Sequence, residues 1–284
     1  METNYSYEIT EKEIFDFFDK VEIPVFKPKE EVWKTISSSL GAEVPTKKIF
    51  LNQRIILGIA ASLLILAGII SFLRFYTQTI SNPAGKYQMA TLSDGSTVEL
   101  NAGSTLTYHP YWFTFSRNLQ FEGEGFFQVE KGKQFTVESK LGKTIVLGTS
   151  FNIYSRSEGY KVFCQTGKVK VVSTKNSEVI LVPGQMAEVD QLGKIKVSEN
   201  ITLEEPMSWR DNMFNFVAAP IQTVFEEIER QYNITITNTL ETELYYTGHF
   251  SREKPVEEVL SLICKPFGIN FVKKSENKYL VTQN

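Results

Sequence analysis

Residues 55–73 read IILGIAASLLILAGIISFL, from Ile55 to Leu73, with Arg54 and Arg74 immediately outside the run. The stretch carries no charge and two serines. At 1.5 Å per residue its helix is ~28 Å long, which matches the hydrocarbon thickness of a bilayer. More than fifty patterned residues precede it, so it does not read as a cleaved signal peptide. The expectation is a single transmembrane helix over 55–73 that anchors everything else. Lys47, Lys48 and Arg54 on its N-terminal side outnumber Arg74 and Lys86 on the other. That bias puts the N-terminus in the cytoplasm and the C-terminus outside it. Gly58, Ala60, Ala61, Ala67 and Gly68 stud the helix with small residues that permit close helix packing.

Working back from the anchor, residues 1–54 form a short helical head. Ile14, Phe17, Phe18 and Val21 recur at i, i+3, i+4 and i+7, the stripe of an amphipathic helix, with Thr10 and Glu13 as its capping box. After the break at 21–28, Val32, Trp33, Ile36 and Leu40 share one face of a second helix, which Pro28 opens and Gly41 and Pro45 close. Two short helices cannot hide that much apolar surface against each other. Either a partner protein takes them into a groove, or the pair lies on the membrane surface.

Forward of the anchor the period changes to two. Val98/Leu100, Leu119/Phe121, Phe127/Val129, Phe135/Val137, Ile145/Leu147, Val162/Cys164, Val169/Val171 and Ile195/Val197 alternate with polar neighbours between Gly- and Pro-marked turns. Short strands at this spacing predict an all-β antiparallel sandwich or roll over 85–198. The segment 207–284 contains an internal repeat. Pro220, Ile221, Val224, Phe225, Ile228, Tyr232, Ile234 and Ile236 return 35 positions later as Pro255, Val256, Val259, Leu260, Ile263, Phe267, Ile269 and Phe271. Each copy reads as a proline-opened helix leading into a strand. With strands near Phe214–Phe216, Tyr245–Phe250 and Tyr279–Val281, this predicts a small α+β domain of two βαβ-like units. The fold class is thus a multidomain membrane protein: helical head, one transmembrane helix, β sandwich, small α+β domain.

Composition excludes several functions. Thirty basic against 33 acidic residues give a net charge of -3, without the basic excess of a nucleic-acid binder. Cys164 and Cys264 stand 100 residues apart with no metal-ligand spacing, so no metal or cofactor is expected. They read as two buried thiols or as one bridge. His109 and His249 are the only histidines, and neither falls in a catalytic pattern; Ser150 lacks a nucleophile elbow. The acidic cluster Glu226, Glu227 and Glu229 reads as a solvated helix face.

Taken in order, ATLSDGSTVELNAGSTLTYHP (90–110), RNLQFEGEGFFQVEKGKQFTVES (117–139), VLGTSFNIY (146–154), TGKVKV (166–171) and VPGQMAEV (182–189) resemble the FecR-like transmembrane anti-sigma factors of the Bacteroidetes type. FNFVAAPIQTVFEEIERQYNITI (214–236) and GHFSREKPVEEVLSLI (248–263) are similar to their small final domain, itself like the short N-terminal domain of secretins and TonB-dependent transducers. The resemblance implies an inner-membrane regulator, not an enzyme. Its head, through Ile14, Phe17, Phe18, Val21, Val32, Trp33 and Ile36, would hold an extracytoplasmic-function sigma factor in the cytoplasm. Its periplasmic part would answer an outer-membrane TonB-dependent transducer loaded with a siderophore or glycan, with envelope proteases as further partners and no direct contact with nucleic acid. In some members a matching Gly-Thr bond cleaves itself, which marks Gly148-Thr149; alternatively Gly148 only permits a bulge. A different reading of the same domains is an envelope scaffold with a secretin-like docking domain and no sigma partner.

Overall fold

The computed structural model describes residues 10–21, 27–41, 53–157, 159–202 and 204–283, without the side chains of Glu204 and Glu205. Lys47, Lys48, Pro45 and residues 22–26 of the break lie outside the described residues. The chain divides into two units, Met1–Ala61 and Ser62–Asn284.

In the first unit, α1 spans Glu11–Lys20 and α2 spans Lys29–Leu40. Thr10 starts α1 as expected: its backbone N–H donates to Glu13 Oε2 at 3.2 Å and its hydroxyl donates to the same oxygen at 3.0 Å. Pro28 caps α2 and Val21 lies just past the end of α1. Neither helix buries a residue. Helix α3 runs Gln53–Phe75, two residues longer at each end than the apolar run, and is long and apolar enough to cross a membrane. Its apolar side chains are exposed.

Thirteen strands follow. One layer has the order β1 (Gln78–Asn82), β4 (Ser104–Tyr108), β5 (Arg117–Gln128), β6 (Phe135–Ser139), β7 (Gly142–Val146), β10 (Val169–Ser173), β11 (Glu178–Leu181). The other has β2 (Gln88–Thr91), β3 (Thr97–Leu100), then β5 again, β8 (Ser150–Arg156), β9 (Gly159–Cys164), β12 (Met186–Val189), β13 (Ile195–Ser198). Strand β5 belongs to both because it bends at Gly123. Residues before the bend pair with β4 and β6, and residues after it pair with β3 and β8. Gly123 has φ +115°, and a Cβ there would lie 2.6 Å from Ser104 Cα, so only glycine fits the corner. Inward residues of both layers, among them Leu106, Phe121, Phe127, Phe135, Phe151, Val162 and Cys164, form one core.

Three expectations need correcting here. The sheet is not wholly antiparallel, since β5 and β6 run parallel. The first strand starts at Gln78, ahead of the expected Gly85, so the chain enters the sheet within a few residues of leaving α3. The phase of β7 is opposite to that inferred: Val146 is in the core while Leu147 is exposed, because Thr144 fills an inward position that hydrophobicity alone could not reveal. Val197 is likewise exposed, on the edge strand.

A second, smaller cluster lies on the outer face of the β2–β13 layer. Phe126, Phe163 and Met186 are buried there beneath Met207 and Trp209. The last two come from the connecting segment, a short α4 (Glu204–Met207) and a 3-10 turn (Ser208–Asp211). The final domain then runs β14 (Met213–Pro220), α5 (Ile221–Tyr232), β15 (Thr235–Asn238), β16 (Tyr245–Ser251), α6 (Val256–Cys264), β17 (Asn270–Ser275), β18 (Lys278–Thr282). Its two strand-helix-strand units are visible in the pairing. The first strands, β14 and β16, pair with each other, while the second strands, β15 and β17, flank β18, β15 in parallel. The repeat extends to the backbone: Pro220 and Pro255 cap the helices at nearly the same angles, and Asn233 and Gly268 follow them in the left-handed region. Val224, Ile228, Val259 and Ile263 supply the core.

Candidate functional site

Three places are candidates for a functional role, and the first is the head. Phe17, Phe18 and Trp33 are 65%, 69% and 67% exposed, and Ile14, Val21, Val32 and Ile36 are exposed as well. Apolar faces of this size on short helices lose stability in water unless something covers them, because each large side chain stabilises by ~1.5–3 kcal/mol when buried. Helical periodicity alone brought these residues together.

The second is the bend from β7 to β8, where the chain passes from one layer to the other. Gly148 has φ +154°, and a Cβ on it would come 2.7 Å from Lys131 Cα. Glycine is therefore required at this crossing, which connects β7 to β8. The flanking carbonyls are occupied: Leu147 O accepts from Gly132 N–H at 2.9 Å and Thr149 O from Val129 N–H at 2.9 Å. The Thr149 hydroxyl is buried and has no hydrogen-bond partner. An uncommitted hydroxyl beside a glycine carbonyl has the composition that an N-to-O acyl shift requires. It also fits a threonine kept for its methyl, which packs against Gly167.

The third is the junction between the β domain and the final domain, and pattern reasoning did not find it. Asn101, wholly buried at the end of β3, is its hub. Its Nδ2 donates to Glu124 Oε2 at 2.8 Å, while its Oδ1 accepts from Gln231 Nε2 at 2.8 Å. Gln231 on α5 also donates to Glu227 Oε1 at 2.6 Å and accepts from Arg252. From the connecting segment, Trp209 Nε1 donates to Asn152 Oδ1 at 3.3 Å, and Asn152 Nδ2 donates in turn to Glu124 Oε1 at 3.2 Å. Arg210 forks onto Glu99 at 2.9 and 2.7 Å and lies 4.1 Å over the Phe126 ring. Tyr87 donates to Trp209 O at 2.6 Å with Arg252 stacked 4.0 Å over its ring. A cleft of about 420 Å³, lined by Tyr87, Glu124, Trp209, Phe216 and Arg252 among others, opens beside this network.

Burial pushes the Glu124 carboxyl up to about 7; the nearby Glu227 charge adds to this, and Arg156 with the two asparagine donors opposes it. Glu227 is thus part of the junction: its side chain is largely buried and paired with Arg230 at 2.9 Å. Glu229 accepts from the Ile236 N–H. The expectation that Glu226, Glu227 and Glu229 form a solvated face needs correcting for Glu227, which belongs to the junction, and for Glu229, which bonds the backbone of its own domain, while Glu226 accepts from Gln222 at the surface. Both cysteines are free and buried, Cys164 in the β core and Cys264 in the final domain, and burial pushes each thiol up to about 11. Among the described residues no cluster of His, Cys, Asp or Glu could hold a metal ion.

The chain thus carries a two-layer β domain and a two-unit α+β domain joined by a buried polar network, after one helix long and apolar enough to cross a membrane. The profile described as FecR protein matches residues 78–170, and that described as FecR, C-terminal, matches residues 213–281. The chain is similar to two solved structures of a candidate anti-sigma factor from Parabacteroides distasonis ATCC 8503. They share 30% identity with it at a TM-score of 0.66. One, at 2.50 Å resolution, covers 74% of this chain and 100% of its own; the other, at 1.65 Å, covers 73% and 99%. No curated protein matches the chain. The chain belongs to the FecR-like family of anti-sigma factors, and it is an anti-sigma regulator.

Proposed function

We propose that this regulator spans the inner membrane once through α3, holds an extracytoplasmic-function sigma factor with its cytoplasmic head, and takes its signal in the periplasm from an outer-membrane TonB-dependent transducer. The observation that carries the proposal is the uncovered apolar surface of α1 and α2, in a family whose regulators act on sigma factors. Covering Ile14, Phe17, Phe18 and Trp33 at ~1.5–3 kcal/mol each supplies roughly 6–12 kcal/mol before association costs. Micromolar binding requires about 8 kcal/mol net, so Val21, Val32 and Ile36 must contribute too. On this reading the chain is a regulator with no substrate to turn over, and its final domain, with β14–β16 and β15–β18–β17 sheets, offers the transducer strand edges and helix faces.

Capture of the host's sigma factors by the detergent-solubilised full-length chain tests this. The wild type retains one of them, and Phe18→Asp or Trp33→Asp releases it without altering the melting of the rest of the chain. A head that retains no sigma factor, in a strain whose envelope assembly fails on deletion of the gene, would instead mark a scaffold.

A further inference from the structure

Between β4 and β5 the chain makes the turn HPYWFTFS, residues 109–116. Its middle residue, Phe113, is wholly buried, edge-on to Tyr108 at 5.1 Å and Phe135 at 5.8 Å, and so fixes the turn to the β core. The residues on either side point away from that core. Tyr111 is 54% and Phe115 68% exposed, and the Trp112 ring lies 4.9 Å from that of Phe115 at a tilt of 38°. These rings meet the end of α3. Tyr111 lies 6.4 Å from Phe72 and 5.5 Å from Tyr76, and His109 Nδ1 donates to Tyr76 O at 3.1 Å. Arg74 lies 5.2 Å over the Trp112 ring and 5.6 Å over that of Phe75.

Phe72 belongs to the uncharged run that would fill the hydrocarbon, whereas Arg74 is the first charge beyond it. A ring within 6.4 Å of Phe72 and 5.5 Å of Tyr76 lies at most about one helical turn from either in depth. If α3 crosses a bilayer, that level is the interface between hydrocarbon and headgroups.

We propose that the 109–116 turn is a second membrane contact, with Tyr111, Trp112 and Phe115 seated in the lipid headgroup zone beside the exit of α3. The partner is the bilayer surface itself. Aromatic rings with one apolar and one polar end favour that zone, and Arg74 reaches the phosphates from the same level while its stem stays among the rings. The turn and the helix end then form one aromatic belt. Through Phe113 that belt ties the β core to the membrane plane, so the domain does not swing freely on a linker. This inference rests on the transmembrane reading of α3.

The test uses the full-length chain in phosphatidylcholine nanodiscs, with a nitroxide placed at Phe115→Cys, Tyr111→Cys, Leu64→Cys or Leu192→Cys; the two native thiols are buried. Collision with oxygen and with a water-soluble nickel complex reports depth. The labels at 111 and 115 are expected to show a several-fold higher oxygen-to-nickel ratio than the label at 192, and a lower one than that at 64. A label at 115 as open to nickel as that at 192, while 64 stays in lipid, overturns the proposal and leaves the transmembrane reading intact. Labels shielded from both reagents would mean that protein, such as a second copy, covers the turn, and would also overturn it. A water-exposed label at 64 would defeat the transmembrane reading itself.

Discussion

Gln231 Nε2, on the first helix of the final domain, donates to Asn101 Oδ1 at the end of a β-domain strand, 2.8 Å across the junction between the two domains. Gln231 uses every polar group it has, donating also to Glu227 and accepting from Arg252. Its removal leaves buried partners unpaired, at ~1–3 kcal/mol for each. Gln231→Ala should therefore lower the melting temperature of the extramembrane part by several degrees. It should also speed proteolytic cutting near Pro206 and Trp209, which Asn152 of the joint holds by hydrogen bonds. Unchanged melting and cutting would show that the two domains are not locked by this bond.

Glu124 gives the joint a pH dependence whose sign is fixed by burial. Its carboxyl titrates at about 7 in the folded chain, against about 4.3 when unfolded, so the folded state holds the proton more tightly. The stability it contributes is fully present below the unfolded value and is lost as pH rises through about 7. Wild-type melting should fall between pH 5 and pH 8 relative to Glu124→Gln, which cannot ionise. Parallel pH profiles for the two chains would contradict this.

The Gly148-Thr149 bend separates two roles on one gel. Gly148→Ala places a Cβ 2.7 Å from Lys131 Cα and should destabilise the β domain by ~1–3 kcal/mol or more. Thr149→Val removes a buried hydroxyl that has no partner and keeps the methyl, so it should raise the melting temperature. If the wild type yields fragments ending at Gly148 and beginning at Thr149 while Thr149→Val stays whole, the hydroxyl attacks the Gly148 carbonyl. The C–N bond then passes to an ester that water opens. An intact wild type confines the pair to a structural role.

The burial of Cys164 and Cys264 makes their thiols unreactive at neutral pH. Maleimide should label neither in the folded chain and both in denaturant, without prior reduction. Labelling in denaturant only after reduction would reveal a bridge.

The sequence was most legible where one physical cause dominates. An uncharged run, a 35-residue recurrence and strand alternation each follow from burial of apolar faces, and helix α3, the two strand-helix-strand repeats and most of the β layers follow them, although the strands of each repeat fall in different sheets. Reading failed where burial is not apolar. Thr144 hid the phase of its strand, and the arms of the joint, Asn101, Glu124 and Gln231, belong to segments far apart in the chain and obey no period. Phe126 and Phe163 looked outward by alternation, yet Trp209 and Met207 cover them from the connecting segment. The turn at 109–116 shows no period: Phe113 enters the core while Tyr111 and Phe115 are exposed. Only their distance from Phe72 and Tyr76 gives them a role.

Everything proposed for signalling requires the head and the β domain to lie on opposite sides of a membrane. Alkaline phosphatase, active only outside the cytoplasm, fused in turn to the N-terminus and after residue 284 of the chain measures this directly. The C-terminal fusion should be active and the N-terminal fusion inactive; equal activity at both ends, or the reverse assignment, would contradict the account.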